Sequence, residues 1–497
     1  MRYLFALGCL GATALSSPAL AADPEPQVVQ TAAPVTAAAS AAPDGDDERR
    51  RQDIRAMRAQ IEELNARVAA MEAEEGLAPP EGASVQRLVY APDAGVRTIP
   101  VSAPRPWSPM SLLADDGHKF EVYGFAQADV IYDVNRVDPA WEDAFRPSKI
   151  PTTEDAFGSD GQTSISVKQS RLGVRASGDA GGRPYEGRFE FDLFGTGVDA
   201  GQTTFRLRHA YGRWGPILAG QTNSLFMDGD LFPNTIDYWG PTGMVFLRNP
   251  QVRWIIRDRP DFYAAVAVEK PGNDIDAGLI RQIDPDLGAG LTNTEKLPDV
   301  TGQLRYQGDW GHAQVSGILR QIGFETVGAP NNEPDGNDLG WGINLGTAYT
   351  TGPATFRLGA VFGEGIASYM NDGGMDLAPQ ITVTVIPPGL IDITGEGQAV
   401  PLFGMTAYLD YAWNEHWTSA FGYSFTQVDN TNFQEPGAFH RGEYASANIL
   451  WAPTPRIMTG AELLWGKRTD NDGATGDDIR LQFSFKVSFS SNDFFKE

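Results

Sequence analysis

The sequence predicts a transmembrane antiparallel β-barrel of about sixteen strands, preceded by a short N-terminal coiled-coil helix. Three observations carry this. In the C-terminal stretch, Ile479, Leu481, Phe483, Phe485, Val487 and Phe489 alternate with Arg480, Gln482, Ser484, Lys486 and Ser488. Successive strand side chains point to opposite faces, so one face is apolar and the other polar along a run long enough to cross a bilayer as a tilted strand. Sixteen such strand candidates are present from residue 119 onward, and the connections between them alternate between short and long. Short turns on one rim and long loops on the other mark outer-membrane barrels, with the short rim periplasmic.

The elements follow in order. Residues 1–21 read as a secretory signal, with Arg2, an apolar run from Tyr3 to Leu15 and a small-residue cleavage site at Ala19-Leu20-Ala21. Leu7-Gly8-Cys9 resembles a lipoprotein box only faintly, and Cys9 is the single cysteine, so the mature chain should hold neither a disulfide nor a thiolate metal site. Residues 22–48 form an Ala/Pro-rich tether. Across 49–75, Ile54, Met57, Ile61, Leu64, Val68 and Met71 fall at alternating spacings of three and four, the a/d seam of a short coiled coil. So short a coil would act with an assembly formed elsewhere, or lie as a lone amphipathic helix. A Pro-rich linker of little periodic pattern occupies 76–117, the barrel 118–489 and a tail 490–497.

The strand candidates are 119–133, 163–177, 186–194, 203–214, 215–222, 251–258, 261–269, 299–308, 311–322, 341–350, 353–363, 402–412, 416–427, 441–451, 456–468 and 478–489. Long loops lie at 134–162, 223–250, 270–298, 323–340, 364–401 and 428–440. An even strand number returns both barrel ends to the periplasm, where coil and linkers would sit. Tyr123, Trp214, Trp254, Tyr263, Trp341, Trp413, Trp417 and Trp465 stand near strand ends and suit interfacial girdles. A mean hydropathy of −0.29 does not oppose a membrane location, because a barrel spreads its lipid-facing residues over alternate positions.

A formal charge of −25 makes nucleic acid an unsuitable partner. Only eight of the 39 basic residues are lysines, so the permanently charged guanidinium is the preferred cation. Strand phasing turns Arg171 and Arg175 away from Leu172 and Val174, and Arg188 away from Phe189 and Phe191. It turns Arg206 and Arg208 away from Phe205, Leu207 and Tyr211, and Arg253 and Arg257 away from Val252, Trp254 and Ile256. Charge on the lipid face costs about 2–4 kcal/mol at mid-depth, so these arginines should face the lumen. There they would line an anion path, or pair with Glu186, Glu190 and Asp192 and merely fill space.

The loop 223–250 is rich in Leu, Phe, Tyr and Trp. It should fold into the lumen and narrow it, with Asp228, Asp230 and Asp237 opposing the arginines, or else pack over a neighbouring subunit. The five histidines are scattered, and His209 is phased outward. No nucleophile–histidine grouping or metal spacing emerges, so no cofactor is expected. Loops 323–340 and 364–401 contain nine carboxylates and no Lys or Arg. They suit lipopolysaccharide bridged by divalent cations, and they oppose anion uptake because a negative mouth repels anions.

Gly124-Phe-Ala-Gln-Ala-Asp-Val-Ile-Tyr-Asp133, Ser170-Arg-Leu-Gly-Val174, Glu186-Gly-Arg-Phe-Glu-Phe-Asp-Leu-Phe-Gly195 and the stretch from Arg206 to Asp228 resemble the DcaP family of trimeric outer-membrane porins. The resemblance covers the first five strands and the general architecture. It implies a homotrimer of sixteen-stranded barrels, a periplasmic N-terminal coil, and diffusion of small organic anions such as dicarboxylates. A pore-lining role carries over best to Arg171, Arg175, Arg206 and Arg208, which lie inside matching motifs. The expectation is a passive porin rather than an enzyme, set in outer-membrane lipid and lipopolysaccharide, with periplasmic or cell-wall contact through the coil. Rival readings are a plugged barrel that tethers the envelope, and a barrel lipid hydrolase, which would need a Ser–His pair on the lipid-facing surface. Residues Ser490 to Glu497 follow the last strand, so a C-terminal aromatic assembly signal would be read internally at Phe489 or would include Phe494-Phe495.

Overall fold

A computed structural model describes residues 118–195, 201–386 and 390–493, and the short segments Tyr3–Leu4, Leu88–Ala91 and Gly95–Thr98. The coiled-coil positions Ile54 to Met71, the tether and Phe494-Phe495 lie outside the described residues. Within the linker of little periodic pattern, Leu88–Ala91 and Gly95–Thr98 pair as an antiparallel ribbon.

Eighteen strand segments close into one barrel, and two short segments each extend a neighbouring stave, leaving sixteen staves. They are β1 (Lys119–Asp133), β2 (Gln162–Ser166 and Arg171–Asp179), β3 (Pro184–Phe194), β4 (Thr203–Trp214), β5 (Ile217–Asn223), β6 (Arg248–Asp258), β7 (Phe262–Glu269) and β8 (Asp299–Gly308, extended by Leu291–Asn293). The rest are β9 (Gly311–Thr326), β10 (Gly336–Thr351), β11 (Ala354–Glu364), β12 (Pro401–Ala412), β13 (Trp417–Val428), β14 (Phe439–Thr454), β15 (Ile457–Asp470) and β16 (Thr475–Ser490). All neighbours run antiparallel, and β16 closes on β1 with Phe489 opposite Gly124. Closure leaves no strand edge unpaired, which the hydrocarbon core demands.

Two elements depart from the sequence reading. The second strand is interrupted by a turn at 167–170, so its two segments pair with the upper and lower parts of β1 separately. The loop 364–401 carries its own hairpin, Leu377–Ile386 with Leu390–Ala399.

The outer face is apolar and open: Phe205 is 72% exposed, and Leu172, Phe189, Val252, Phe483 and Phe485 share its side. Trp214, Trp254, Trp413 and Trp417 are exposed beside the short turns, as a girdle requires. Tyr123 and Tyr263 are not part of it. Tyr123 donates to Glu190 at 2.8 Å and Tyr263 lies near Arg253, so both face the lumen.

Inside, the loop between β5 and β6 forms a strap along the far wall. The Phe226 carbonyl accepts from Ser316 of β9 and Asn344 of β10, and the Met227 carbonyl from Gln314. Further on, Asn448 of β14 donates to the Asn234 carbonyl, and Glu462 of β15 accepts from the amides of Ile236 and Asp237. Inward glycines make the trough. A Cβ on Gly342 would come within 2.9 Å of Phe226, and one on Gly359 within 2.7 Å of Leu231. Such separations are far inside van der Waals contact, so only a bare backbone fits.

Candidate solute pathway

The strap covers the inner face of staves β9 to β15, and the arginines stand on the opposite wall. Arg171 faces Asp192 across β2 and β3, and Arg175 faces Arg188 directly. Like charges placed directly opposite destabilise a sheet unless compensated. Here compensation is local: Arg175 bonds Glu121 at 2.8 Å, and Arg188 bonds Glu190 at 2.6 Å and the Tyr123 hydroxyl at 2.7 Å. Arg206 and Arg208 both bond Asp192, and Arg208 also reaches Glu190 at 2.7 Å. The acid partners weighed in the sequence are therefore real. They do not consume the wall equally. Arg206 and Arg208 are largely buried, whereas Arg171, Arg188 and Arg175 keep 26%, 28% and 49% of their side chains open. A partly open guanidinium can exchange one carboxylate for another at little cost, while a buried one must first be uncovered.

Two β-bulges change the phasing. In β4 the register shifts between Glu190 and Phe191 of the partner strand, so Arg208 and His209 both turn inward. His209 is thus buried against Thr222 rather than outward, at 3.0 Å. Tyr211 follows onto the inner face, where it bonds Glu186, and Arg213 with it, 2.5 Å from Asp258. In β6 the shift between Ile255 and Arg257 leaves Arg253 inward, bonded to Gln251 and the Asn223 carbonyl. Arg257 instead pairs with Ala264, on the side that carries Val266 and Val268, at the short-turn rim. A bulge adds one residue and inverts every side chain beyond it, which periodicity alone does not register.

The strap carboxylates do not stand opposite the arginine wall as free charges. Asp228 is buried against His312 at 2.7 Å and Arg305 at 3.4 Å. Asp237 is buried and accepts from the amides of Phe145 at 3.0 Å and Gly240 at 2.8 Å, and from the Tyr444 hydroxyl. Only Asp230 is open, at 63%, and it bonds Arg305 at 2.5 Å. The first two carboxylates fasten the strap; the third is already paired. Arg305 and Arg357 also line the inner face, and the strand phasing of 299–308 and 353–363 places them opposite Leu304 and Leu358.

Burial pushes the Asp237 carboxyl up to about 6, with the Arg480 charge and the Gly240 and Phe145 amides holding it back. Between about pH 4 and 6 the folded chain therefore keeps a proton that the unfolded chain has lost. Stability from this group is fully present below pH 4 and is lost as pH rises through 6, up to about 3 kcal/mol for a shift of two units. Thermal unfolding in detergent should show a midpoint falling over that interval, and Asp237→Asn should flatten the fall. An unchanged slope in the variant would refute the assignment.

Loops 134–162 and 364–401 interlock with the strap. Arg146 bonds Asp372 at 2.9 Å and lies between Trp141 and Trp239, 4.2 and 4.6 Å from their ring centres. Arg320 of β9 is fully buried and joins Asp299 and Asp376. Asp372 and Asp376 belong to the acidic loop 364–401, so part of the negative mouth is neutralised internally. Among the described residues no three His, Cys, Asp or Glu side chains converge as a metal site.

The pattern of the DcaP outer membrane protein family matches residues 107–355. A comparison with curated protein sequences returns no match. The crystal structure of the outer membrane channel DcaP of Acinetobacter baumannii is similar at 22% identity, over 76% of this chain and 99% of that one, with a TM-score of 0.60. An anion-selective porin from Comamonas acidovorans aligns over 75% of this chain and all of that one at 12% identity, TM-score 0.44. Salmonella typhi OmpF aligns over 76% and 99% at 11% identity, TM-score 0.44. With a matched family pattern over half its length and a closed sixteen-stave barrel, the chain belongs to the DcaP outer membrane protein family, a family of outer-membrane channels.

Proposed function

We propose that this barrel is a passive porin for small hydrophilic solutes that prefers organic anions such as dicarboxylates. The observation that supports it is the row of partly open guanidiniums at Arg171, Arg175 and Arg188 on adjacent staves, two of them directly opposite. A dicarboxylate moving along this row finds bidentate donors at successive positions. The anion preference of the Comamonas porin is that protein's own property. Substituting Arg171 and Arg188 together with glutamine should lower anion permeability about fourfold per charge removed, as expected for unit charges roughly 5 Å apart in water, and lower the anion-to-cation ratio with it. A ratio unchanged in planar bilayers would count against the row as the selectivity element.

Assembly as a homotrimer belongs to the same reading. Gly187 and Gly212 face each other on the outer side of β3 and β4, where a Cβ would meet open space. The chain's own packing does not require glycine there, but a close neighbouring wall would. Sedimentation in detergent should return three chains per particle, and one chain per particle would exclude it. The loops interlocked with the strap favour one rival, a plugged barrel that tethers the envelope. Measurable conductance separates the two.

A further inference from the structure

We infer that Tyr238 on the strap is a specificity-determining residue, whose phenol occupies the anion subsite between Arg206 and Arg208 and competes with the solute for it. The inference rests on the anion-porin reading above and names the one strap side chain that regulates that wall. At Phe226, Met227 and Asn234 the strap holds to the far side of the lumen, but from Ile236, whose carbonyl accepts from Gln169 of the β2 turn, to Tyr238 it reaches across to β2, β3 and β4. There the phenol oxygen accepts from Arg208 Nη1 at 2.6 Å and from Arg206 Nη2, and donates to Asp192 Oδ2 at 2.7 Å. Its donor and both acceptor positions are thereby used.

An oxygen that receives two guanidinium N–H groups from neighbouring positions of one strand sits where a solute carboxylate oxygen would bind. It is neutral, so its bonds are weaker than those a carboxylate would make. The ring is held by Phe194, stacked with centroids 4.1 Å apart. Both guanidiniums lie near the ring, that of Arg206 5.1 Å from its centre and that of Arg208 5.9 Å. Tyr238 is carried by a loop rather than by the wall. Its position therefore depends on how the strap is fastened one residue earlier, where Glu462 holds the Asp237 amide. With the phenol in place, the solute has Arg171, Arg188 and Arg175. With it displaced, Arg206 and Arg208 join the row and lengthen it toward the strap.

The test uses the full-length protein in planar bilayers, with succinate as the probe, comparing wild type with Tyr238→Phe. The variant keeps the ring and its stacking and deletes the competing oxygen. The concentration of succinate that halves the potassium chloride current should fall about tenfold, the worth of a charge-assisted hydrogen bond. The reversal potential should move further toward anions. A second variant, Phe194→Leu, keeps the phenol but loosens it and should move the block in the same direction by less. Unchanged block in both variants overturns the inference. So does a rise in conductance with no change in block, because that is what a residue merely holding the strap would give. A wild-type channel that prefers cations instead overturns the anion reading itself, so the two failures are told apart.

Discussion

Replacing Gly346 with leucine should release the strap from the barrel wall and raise single-channel conductance by a factor of about two. A Cβ at this position of β10 would stand against Asp228 Oδ2 and 2.9 Å from Leu231 Cδ1. A whole leucine side chain therefore cannot be accommodated by a small adjustment; the strap must leave. Asp228 would lose His312 and Arg305 together, and the two turns around it would lose their trough. Overpacking of this kind costs about 1–3 kcal/mol, too little to open a sixteen-stave hydrogen-bonded cylinder. The barrel should stay folded while the lumen widens, and the gain should come with weaker charge selectivity. Conductance equal to wild type, in a variant that keeps its folded mobility on unboiled gels, would show that the strap does not limit the lumen.

Arg480→Met should lower stability by about 3–5 kcal/mol, the range for breaking a buried ion pair by removing one partner. Arg480 is fully buried on β16 and bonds Asp133 of β1 with two nitrogens, at 2.6 and 2.9 Å. It thus joins the first and last staves across the closing seam. Its guanidinium lies 5.1 Å from the Phe145 ring centre, and its charge also faces Asp237 and Asp478. Without it, these carboxylates share a buried region with no cation among them. The temperature at which the folded band on unboiled gels gives way to the unfolded one should fall clearly below wild type. The double variant Arg480→Met with Asp133→Leu should recover part of the loss, because removing both partners leaves no orphaned charge. Equal melting of wild type and Arg480→Met would contradict the seam assignment.

The architecture was legible because a barrel wall is a period-two object. Alternation in 479–489 and in the other strand candidates is imposed by lipid on one side and water on the other, and the structure keeps that alternation wherever no bulge interrupts it. What periodicity could not show were the places where one residue is added. The bulges in β4 and β6 carried His209 and Tyr211 to the inner face and Arg257 away from it. Their signal in the sequence is weak, since neither bulge contains a glycine that would mark it. The strap was legible as a loop too apolar for water. Its acids were misplaced because a carboxylate's destination depends on long-range partners such as His312, Phe145 and Tyr444, which no local pattern brings near Asp228 or Asp237. Pairing of Arg206 and Arg208 with Asp192 was foreseeable from their shared face. The seat of Tyr238 between them was not, because it depends on how far the strap crosses the lumen.

The reversal potential of the full-length protein under a potassium chloride gradient across a planar bilayer tests the central claim most directly. The row at Arg171, Arg175 and Arg188 predicts a potential of the sign that marks chloride as the more permeant ion. A potential of the opposite sign, marking potassium, would contradict the account.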